Sequence, residues 1–282
     1  MMKVQIFNNT KDYHHGCTKV MEYLYNDLQE NGHTILGSVT GSDDFRPEVE
    51  MQFMEADIII VNGEGTMHHN SPIAHQLLSV IKNAKILGKK TALINTVWES
   101  MTIDDEMKDV LSNTYISVRE EKSKYAMYES IKLSVDVHLD LSYFIDVPKK
   151  ITPQRDLVVG KFFIQHDYRP KNVSVIDIFK HDWDTIVNIL RSANWFITGR
   201  HHELYAACKA RCPFAALSGN TWKNEGLMQT ANVEIPIESS ILPHDKIPYF
   251  LDRCKEHFLE YEKLFDWMEC QEKFSSTRIV QN

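Results

Sequence analysis

The run DIIIVNG at residues 57–63 is almost wholly apolar and ends at a glycine. A short apolar run bounded by turn residues predicts a strand that is buried on both faces of a parallel sheet. Ligands of open α/β sheets bind beyond the carboxyl ends of the strands. The residues that follow this strand and its neighbours are therefore the first candidates for a functional site.

Strands and helices alternate along the first half of the chain, which is the pattern of a parallel sheet with crossover helices. The polar, acidic stretch 41–48 predicts a loop. The predicted strands are 4–7, 33–39, 57–63, 91–97, 114–119 and 135–142, and the predicted helices are 16–28, 71–88, 104–112 and 123–131.

The same alternation begins again after a proline-containing and charged segment, VPKKITPQRD at 147–156, which predicts a linker. Beyond it the predicted strands are 157–165, 195–200 and 214–218, and the predicted helices are 182–193, 202–211 and 224–232. The expected class is α/β with two Rossmann-like domains, an N-terminal one at 1–146 and a C-terminal one at 147–245. A long amphipathic helical tail is expected at 246–282, packed on the first domain or forming a dimer, so that a homo-oligomer is left open.

The composition supports two ordinary globular domains and makes nucleic acid an unexpected partner. The chain has 282 residues, of which 43% are hydrophobic, and a formal net charge of −8. This charge has the wrong sign for a protein that neutralises phosphodiester backbones, although a few converging arginines still suffice to bind a small anion.

The amino terminus and the cysteines indicate a reducing, cytoplasmic location. The opening MMKVQIFNN lacks the apolar stretch of a signal peptide, and no stretch is long and apolar enough to span a membrane. The five cysteines are irregularly spaced, which favours reduced thiols over a disulfide framework. No set of residues has a convincing metal-ligand spacing, so no metal is predicted.

The segment NGEGTMHHN at 62–70 places Gly63 and Gly65 directly after the buried strand. Glycines there allow the backbone to approach a ligand and turn its N–H groups toward an anion. The alternative is that both glycines serve only a tight turn, with His68 and His69 in solvent.

Two arginines end predicted strands, Arg119 and Arg200, and the second is followed by His201 and His202. The planar guanidinium binds carboxylate or phosphate through two parallel hydrogen bonds, so the pair is a candidate anion clamp. His202 begins the next helix and is a candidate general acid or base. Surface ion pairs for the arginines and a structural role for the histidine are the alternatives.

The loop NNTKDYHHGC at 8–17 places His14 and His15 after the first strand, where they are candidates for binding acceptor hydroxyls or capping a helix. Cys17 is expected to be an ordinary thiol.

Four segments together resemble the polysaccharide pyruvyl transferase family. They are NGEGTMHH at 62–69, ISVREEKSKYAM at 116–127, DLSYF at 140–144 and, most specifically, FITGRHHELYAACKARCPFAALSGNTWKNEGLM at 196–228. The resemblance implies a fold like the GT-B glycosyltransferases, with two Rossmann-like domains facing a cleft and a C-terminal helix that can return to the first domain. The loop at 8–17 departs from the family's usual Asn-x-Gly-Asp-Glu-like loop.

The resemblance also implies an activity in surface-polysaccharide biosynthesis, in exopolysaccharide or capsule. A pyruvyl ketal would pass from phosphoenolpyruvate to a sugar, without a metal or other cofactor. Arg119 and Arg200 would bind the phosphate and carboxylate of the donor, and His202 would donate a proton. The remaining candidates are Gly63, Gly65 and Thr66 for the donor, and His14, His15, Glu64 and His68 for the saccharide acceptor.

Two other functions fit the same scaffold, because a fold does not fix a chemistry. One is a GT-B glycosyltransferase that uses a nucleotide-activated, perhaps anionic, sugar, with Trp222 or Glu225 near the nucleotide. The other is a non-catalytic carbohydrate-binding protein, in which Trp183, Trp195 or Trp222 would stack on sugars.

Overall fold

A computed structural model of the chain describes residues 1–41, 46–160, 173–177, 179–239 and 243–281. The chain divides into two compact units. The first unit consists of 1–11, 20–141 and 272–282, and the second consists of 12–19 and 142–271. The described residues have the expected α/β class, with one parallel sheet in each unit.

The first unit is built on a parallel sheet whose described strands lie in the order β2-β1-β3-β4-β5-β6. Its strands are Lys3–Phe7 (β1), Thr34–Val39 (β2), Ile58–Asn62 (β3), Lys90–Thr96 (β4), Tyr115–Val118 (β5) and Asp136–Val137 (β6). Its helices are His15–Glu30 (α1), Pro47–Glu55 (α2), Pro72–Ile86 (α3), Asp105–Ser112 (α4) and Glu121–Ile131 (α5), and the first turn of α1 groups with the second unit.

The apolar run at 57–63 forms β3, which pairs in parallel with β1 on one side and β4 on the other. All five β3 residues are buried, as expected for a strand covered on both faces. Helix α2 was not predicted and begins inside the segment expected to be a loop. Its Pro47 is suited to the first helical turn, and Val49 and Phe53, spaced by four residues, are buried against the core.

The second unit contains a parallel sheet whose described strands lie in the order β11-β10-β9-β7-β8. Its strands are Arg155–Gly160 (β7), Val173–Ile176 (β8), Ala193–Thr198 (β9), Phe214–Leu217 (β10) and Ile237–Glu238 (β11). Its helices are Trp183–Leu190 (α6), His201–Ala210 (α7), Lys223–Thr230 (α8), Ile247–Glu256 (α9) and Phe258–Glu269 (α10).

The second sheet differs from the prediction mainly at its edges. Strand β7 begins inside the segment expected to be a linker, and the predicted strand residues 161–165 lie outside the described residues. Strands β8 and β11 were not predicted. Both are short edge strands that are only partly buried, so neither carries the continuous apolar signal of a central strand.

The expected single helical tail is three separate helices. α9 and α10 meet at His257, and a further helix, Thr277–Gln281 (α11), ends the described chain. The tail also divides between the units, because residues up to 271 group with the second unit and 272–282 group with the first. The observed boundary between the units falls after Leu141 rather than after residue 146.

Within the described residues, no helix combines the length and the apolar character needed to cross a bilayer. The five cysteines all lie in the described part of the chain and form no disulfide, as the sequence predicted, and Cys270 is the exposed one.

Candidate active site

The turn after β3 is held by contacts within the first unit. A Cβ atom on Gly63 would lie 2.4 Å from Cβ of Thr96, so glycine is required for the close approach of this turn to β4. The Gly63 N–H donates to the Ile94 carbonyl at 2.8 Å. This N–H is therefore not turned toward an anion, contrary to the expectation. Gly63 has a structural role, and donor binding by this turn stays a prediction.

The rest of this turn is closed on itself. Gly65 has a φ of 67°, a left-handed conformation that favours glycine. The backbone N–H and the hydroxyl of Thr66 both donate to the Gly63 carbonyl, at 3.3 and 3.2 Å. His68 lies 3.2 Å from the Gly65 carbonyl through Nε2 and 3.0 Å from His69 through Nδ1. The structure thus brings these candidates together on one turn without showing which of them binds a ligand.

A buried polar network joins the ends of β1 and β3, and sequence reasoning found only its Glu64. The Thr10 hydroxyl donates to Oε2 of Glu64 at 2.5 Å, and Nδ2 of Asn62 donates to the Thr10 hydroxyl at 3.2 Å. Nδ2 of Asn8 donates to the Asn62 carbonyl at 2.6 Å, and Asn8 has a φ of 61°. The positive φ expected of Asn at a strand end was the available signal for this turn.

Arg119 is buried at the end of β5 and forms an ion pair within the first unit. Its Nη1 lies 2.6 Å from Oδ2 of Asp140, and both side chains are almost fully buried. The Arg119 N–H donates to the carbonyl of Thr96 at 3.0 Å, which places it beside the same β4 residue that Gly63 contacts. A buried arginine paired with a carboxylate already has a structural function. Binding of the donor by Arg119 stays a prediction.

In the second unit, the turn between β9 and α7 presents Arg200, His202 and Glu203 at the carboxyl end of the sheet. Arg200 precedes the first residue of α7, and its N–H donates to the Thr198 hydroxyl at 3.1 Å. Its guanidinium carbon lies 6.0 Å from the centre of the Phe179 ring, within range of a cation–π interaction. Arg119 and Arg200 lie in different units, so the two-arginine clamp is a prediction and not an observed geometry.

Glu203 was not predicted, and it is the most deeply buried carboxylate of this turn. Its Oε2 accepts a hydrogen bond from the Thr198 hydroxyl. Burial raises the pKa of Glu203 from 4.5 to about 7, and the Thr198 hydrogen bond and the nearby Arg200 and His202 act in the opposite direction. The sequence signal for this residue was a carboxylate directly after the His pair, at the start of a helix.

The loop of His14 and His15 groups with the second unit and lies against His202. The rings of His14 and His202 are 4.9 Å apart, centre to centre. A Cβ atom on Gly16 would lie 2.3 Å from Cγ of His202, so the loop reaches this imidazole only because residue 16 is glycine. His14 and His15 therefore group with the second unit, although the N-terminal domain was predicted to span 1–146.

His15 is a buried neutral imidazole packed on Trp183. Their rings are 5.6 Å apart, and burial, followed by the positive charge of neighbouring groups, lowers the pKa of His15 to about 2. Trp183 is itself almost fully buried, so it cannot stack on a sugar. Trp195 packs edge-on against Tyr261, with ring centres 5.7 Å apart.

Cys17, expected to be an ordinary thiol, lies in the same cluster. Its Sγ is 3.3 Å from Nε2 of His14. One ring nitrogen each of His14 and His202 and the sulfur of Cys17 lie within 4.8 Å of one another. The i, i+3 spacing of His14 and Cys17 at a helix start was the signal that would have joined them. The expected absence of a metal stays untested.

Comparison with solved structures shows the fold. The protein resembles UGT89C1 of Arabidopsis thaliana complexed with quercetin, with a TM-score of 0.57 and 8% identity over 99% of this chain and 98% of the other. It also resembles the UDP-GlcNAc 2-epimerase of Neisseria meningitidis, with a TM-score of 0.56 and 10% identity over 100% and 99% of the chains. A functionally uncharacterized Klebsiella pneumoniae protein is similar over 81% and 88% of the chains, with a TM-score of 0.54 and 14% identity. The fold is that of GT-B enzymes.

No curated protein matches this chain in sequence. The family model of the polysaccharide pyruvyl transferases matches residues 4–221, which include both strand-end arginines, the glycine turn and the β9–α7 turn with His202. The match extends over most of the chain and agrees with the resemblance of the four sequence segments. The chain belongs to the polysaccharide pyruvyl transferase family, a family of transferases.

Proposed function

We propose that the protein transfers a pyruvyl group from phosphoenolpyruvate to two hydroxyls of a saccharide, with His202 as the proton donor. The observation that carries the proposal is the β9–α7 turn. There Arg200 and His202 stand two residues apart at the carboxyl end of a parallel sheet, within the segment that the family model matches. Anionic ligands bind at this edge of such sheets, and arginine matches the geometry of carboxylate and phosphate.

The chemistry requires one acid and one anion-binding group at the start. A proton from the imidazole of His202 adds to the methylene carbon of the enol, which makes C2 electrophilic, and the first acceptor hydroxyl attacks C2. The second hydroxyl then displaces inorganic phosphate, so that C2 ends as the ketal carbon. One hydroxyl proton replaces the proton that His202 gave, and the other leaves with the phosphate. Arg200 would stabilise the charge of the donor during these steps.

The neighbours of His202 support this role for its imidazole. His14 and Gly16 pack on its ring. Glu203 accepts a hydrogen bond from the Thr198 hydroxyl, which fixes the turn that carries His202. An acid held in one orientation by packing is better placed for proton transfer than a mobile surface histidine. The residues proposed to bind the saccharide acceptor are the predicted candidates Glu64, His14, His15 and His68.

The test is donor binding measured by calorimetry and by thermal shift on the wild type and on Arg200→Ala. Phosphoenolpyruvate is expected to stabilise the wild type, and its affinity is expected to fall at least about tenfold in the variant, because a charged hydrogen bond is lost. Arg155→Ala is the matched control. Arg155 begins β7 and therefore lies at the amino ends of the strands, whereas Arg200 follows the carboxyl end of β9 in the same sheet.

The same measurement separates the second candidate function. Binding of UDP or CMP without any response to phosphoenolpyruvate would overturn the pyruvyl proposal and favour a GT-B glycosyltransferase. The structural relatives include an epimerase of UDP-GlcNAc, which makes a nucleotide panel the relevant comparison. Binding of neither class of donor, in a protein that still binds saccharide, would indicate the non-catalytic function.

A further inference from the structure

We propose that His14, Cys17 and His202 form a zinc-binding site. The three residues come from two places in the sequence, the start of α1 and the start of α7, and both places belong to the second unit. This site goes beyond the proposed transfer reaction, which requires no metal.

The donor atoms have the chemical type and the spacing that zinc requires. Imidazole nitrogen and thiolate sulfur are both zinc ligands, and the soft sulfur disfavours magnesium and calcium. Sγ of Cys17 already lies 3.3 Å from Nε2 of His14, and the largest separation among the three donor atoms is at most 4.8 Å. Ligands of tetrahedral zinc are about 3.3 to 3.6 Å apart, so His202 needs to move by about 1 Å.

The backbone conformation allows these three side chains to come together. His14 directly precedes α1, and its carbonyl accepts from the Thr18 N–H at 3.1 Å, so the i, i+3 spacing places it beside Cys17, which is buried. Gly16, between them, lets the ring of His202 approach within a distance that any Cβ atom would prevent. Because the His202 ring already packs close to Cys17, metal binding has to drive only a small rearrangement of these side chains.

Coordination changes the protonation of the cluster in a defined way. The Gly16 N–H donates to Nδ1 of His14 at 3.3 Å, which leaves Nε2 of the neutral ring as the protonated nitrogen facing Cys17. When Nε2 binds zinc, the imidazole proton moves to Nδ1, and the Gly16 contact lengthens. The thiol proton of Cys17 goes to solvent, so zinc binding releases about one proton at a pH where free imidazoles are neutral.

Zinc and proton donation exclude each other at His202. One ring nitrogen of His202 would be taken by the metal, so the ring could not form the doubly protonated imidazolium that acts as the acid. Three protein ligands also leave a fourth position for water or an anion. Zinc would therefore inhibit the proposed reaction, but its binding does not depend on that reaction being correct.

The experiment uses the full-length protein without any donor and replaces zinc with cobalt as the probe. Cobalt bound to a thiolate gives a near-ultraviolet charge-transfer band, which reports a metal–sulfur bond independently of activity. The background variant is Cys270→Ser, because Cys270 is the exposed thiol. The band is expected in this background and is expected to disappear when Cys17→Ser is added.

Two further measurements make the outcome decisive. His14→Gln is expected to weaken cobalt binding at least about tenfold, and it keeps the test open if Cys17→Ser does not fold. Calorimetry of zinc binding in buffers of different ionisation enthalpy is expected to show release of about one proton. Absence of the band in the Cys270→Ser protein, or an unchanged band after Cys17→Ser, would overturn the proposal. Failure of phosphoenolpyruvate binding alone would leave the zinc site standing.

Discussion

Gly16 shows how one residue controls the position of His202. No side chain fits between the α1 loop and the imidazole, since a Cβ atom would meet Cγ of His202 at 2.3 Å. Closely packed interiors respond to one added methyl group by shifting backbone or side chains.

Gly16→Ala is therefore expected to displace His202, at a cost of about 1–3 kcal/mol in the free energy of unfolding. Donor turnover is expected to fall more than donor affinity, because the acid moves while Arg200 does not. Gly219→Ala is the control, because its Cβ atom would make only ordinary contacts, the nearest at 3.4 Å. Thermal unfolding and steady-state kinetics measure both effects, and equal behaviour of the two variants would contradict this role for Gly16.

Glu203 makes the stability of the protein depend on pH. Burial raises its pKa from 4.5 in the usual case to about 7 in the folded protein. Between these values the folded state keeps a proton that the unfolded chain has released, so stability falls as pH rises. The contribution of Glu203 is complete below about pH 4.5 and is lost by about pH 7.

Glu203→Gln removes this proton equilibrium while keeping the shape of the side chain. The melting temperature of the variant relative to wild type is expected to increase as pH rises through that window. Glu234→Gln, at an exposed position, should give a curve parallel to wild type. A difference between Glu203→Gln and wild type that does not change with pH would show that the carboxylate is ionised throughout.

At the scale of elements, the helix starts hold the site. Helix α6 begins at Trp183, the residue that packs on His15, and its N-cap is Asp182, whose carboxylate accepts from the Thr185 N–H at 2.7 Å. A hydrogen bond with the Thr185 side chain, followed by this backbone hydrogen bond, lowers the pKa of Asp182. An N-cap satisfies a backbone donor that the helix itself leaves unpaired.

Asp182→Ala is expected to destabilise the protein by about 1 kcal/mol, because the first turn of α6 loses its cap. Asp182→Asn is the matched variant, since asparagine caps as well as aspartate does, and it should retain most of the stability. Chemical denaturation of the three proteins distinguishes the outcomes. A loss in the asparagine variant as large as in the alanine variant would assign the effect to charge rather than to the cap.

At the scale of the whole molecule, the last residues of the described chain complete the first unit. The Tyr23 hydroxyl donates to the Phe274 carbonyl at 2.6 Å, and the Ser276 N–H donates to Asp27 at 2.8 Å. Phe274 is buried beside Tyr115 and His138. The core of the first unit therefore includes a segment that is distant in the sequence, and the end of the tail is part of this core.

Phe274→Ala is expected to cost about 3–5 kcal/mol, because it leaves a cavity in the first unit. Phe258→Ala, in the same tail but 49% exposed, is expected to change the free energy of unfolding by less than about 0.5 kcal/mol. Hydrogen exchange is expected to show the loss of protection in the first unit for Phe274→Ala. Loss confined to the second unit would contradict the assignment of residues 272–282.

The α/β class, the alternation of strands and helices and the family could all be predicted from the sequence. Apolar central strands such as β3 carry a continuous local signal, and family motifs are contiguous in the chain. Short, half-exposed edge strands such as β8 carry no such signal, which is why they were missed.

Which side chains come together became clear only from the folded protein. In the folded protein His14 and Cys17 lie beside His202, and Arg119 pairs with Asp140. The Gly63 N–H donates to the Ile94 carbonyl, and Glu203 is buried. These contacts join residues from different elements, and burial or an ion pair changes what the same side chain can do. Local pattern fixes secondary structure, whereas pKa, charge pairing and ligand geometry depend on distances that are set only when the chain is packed.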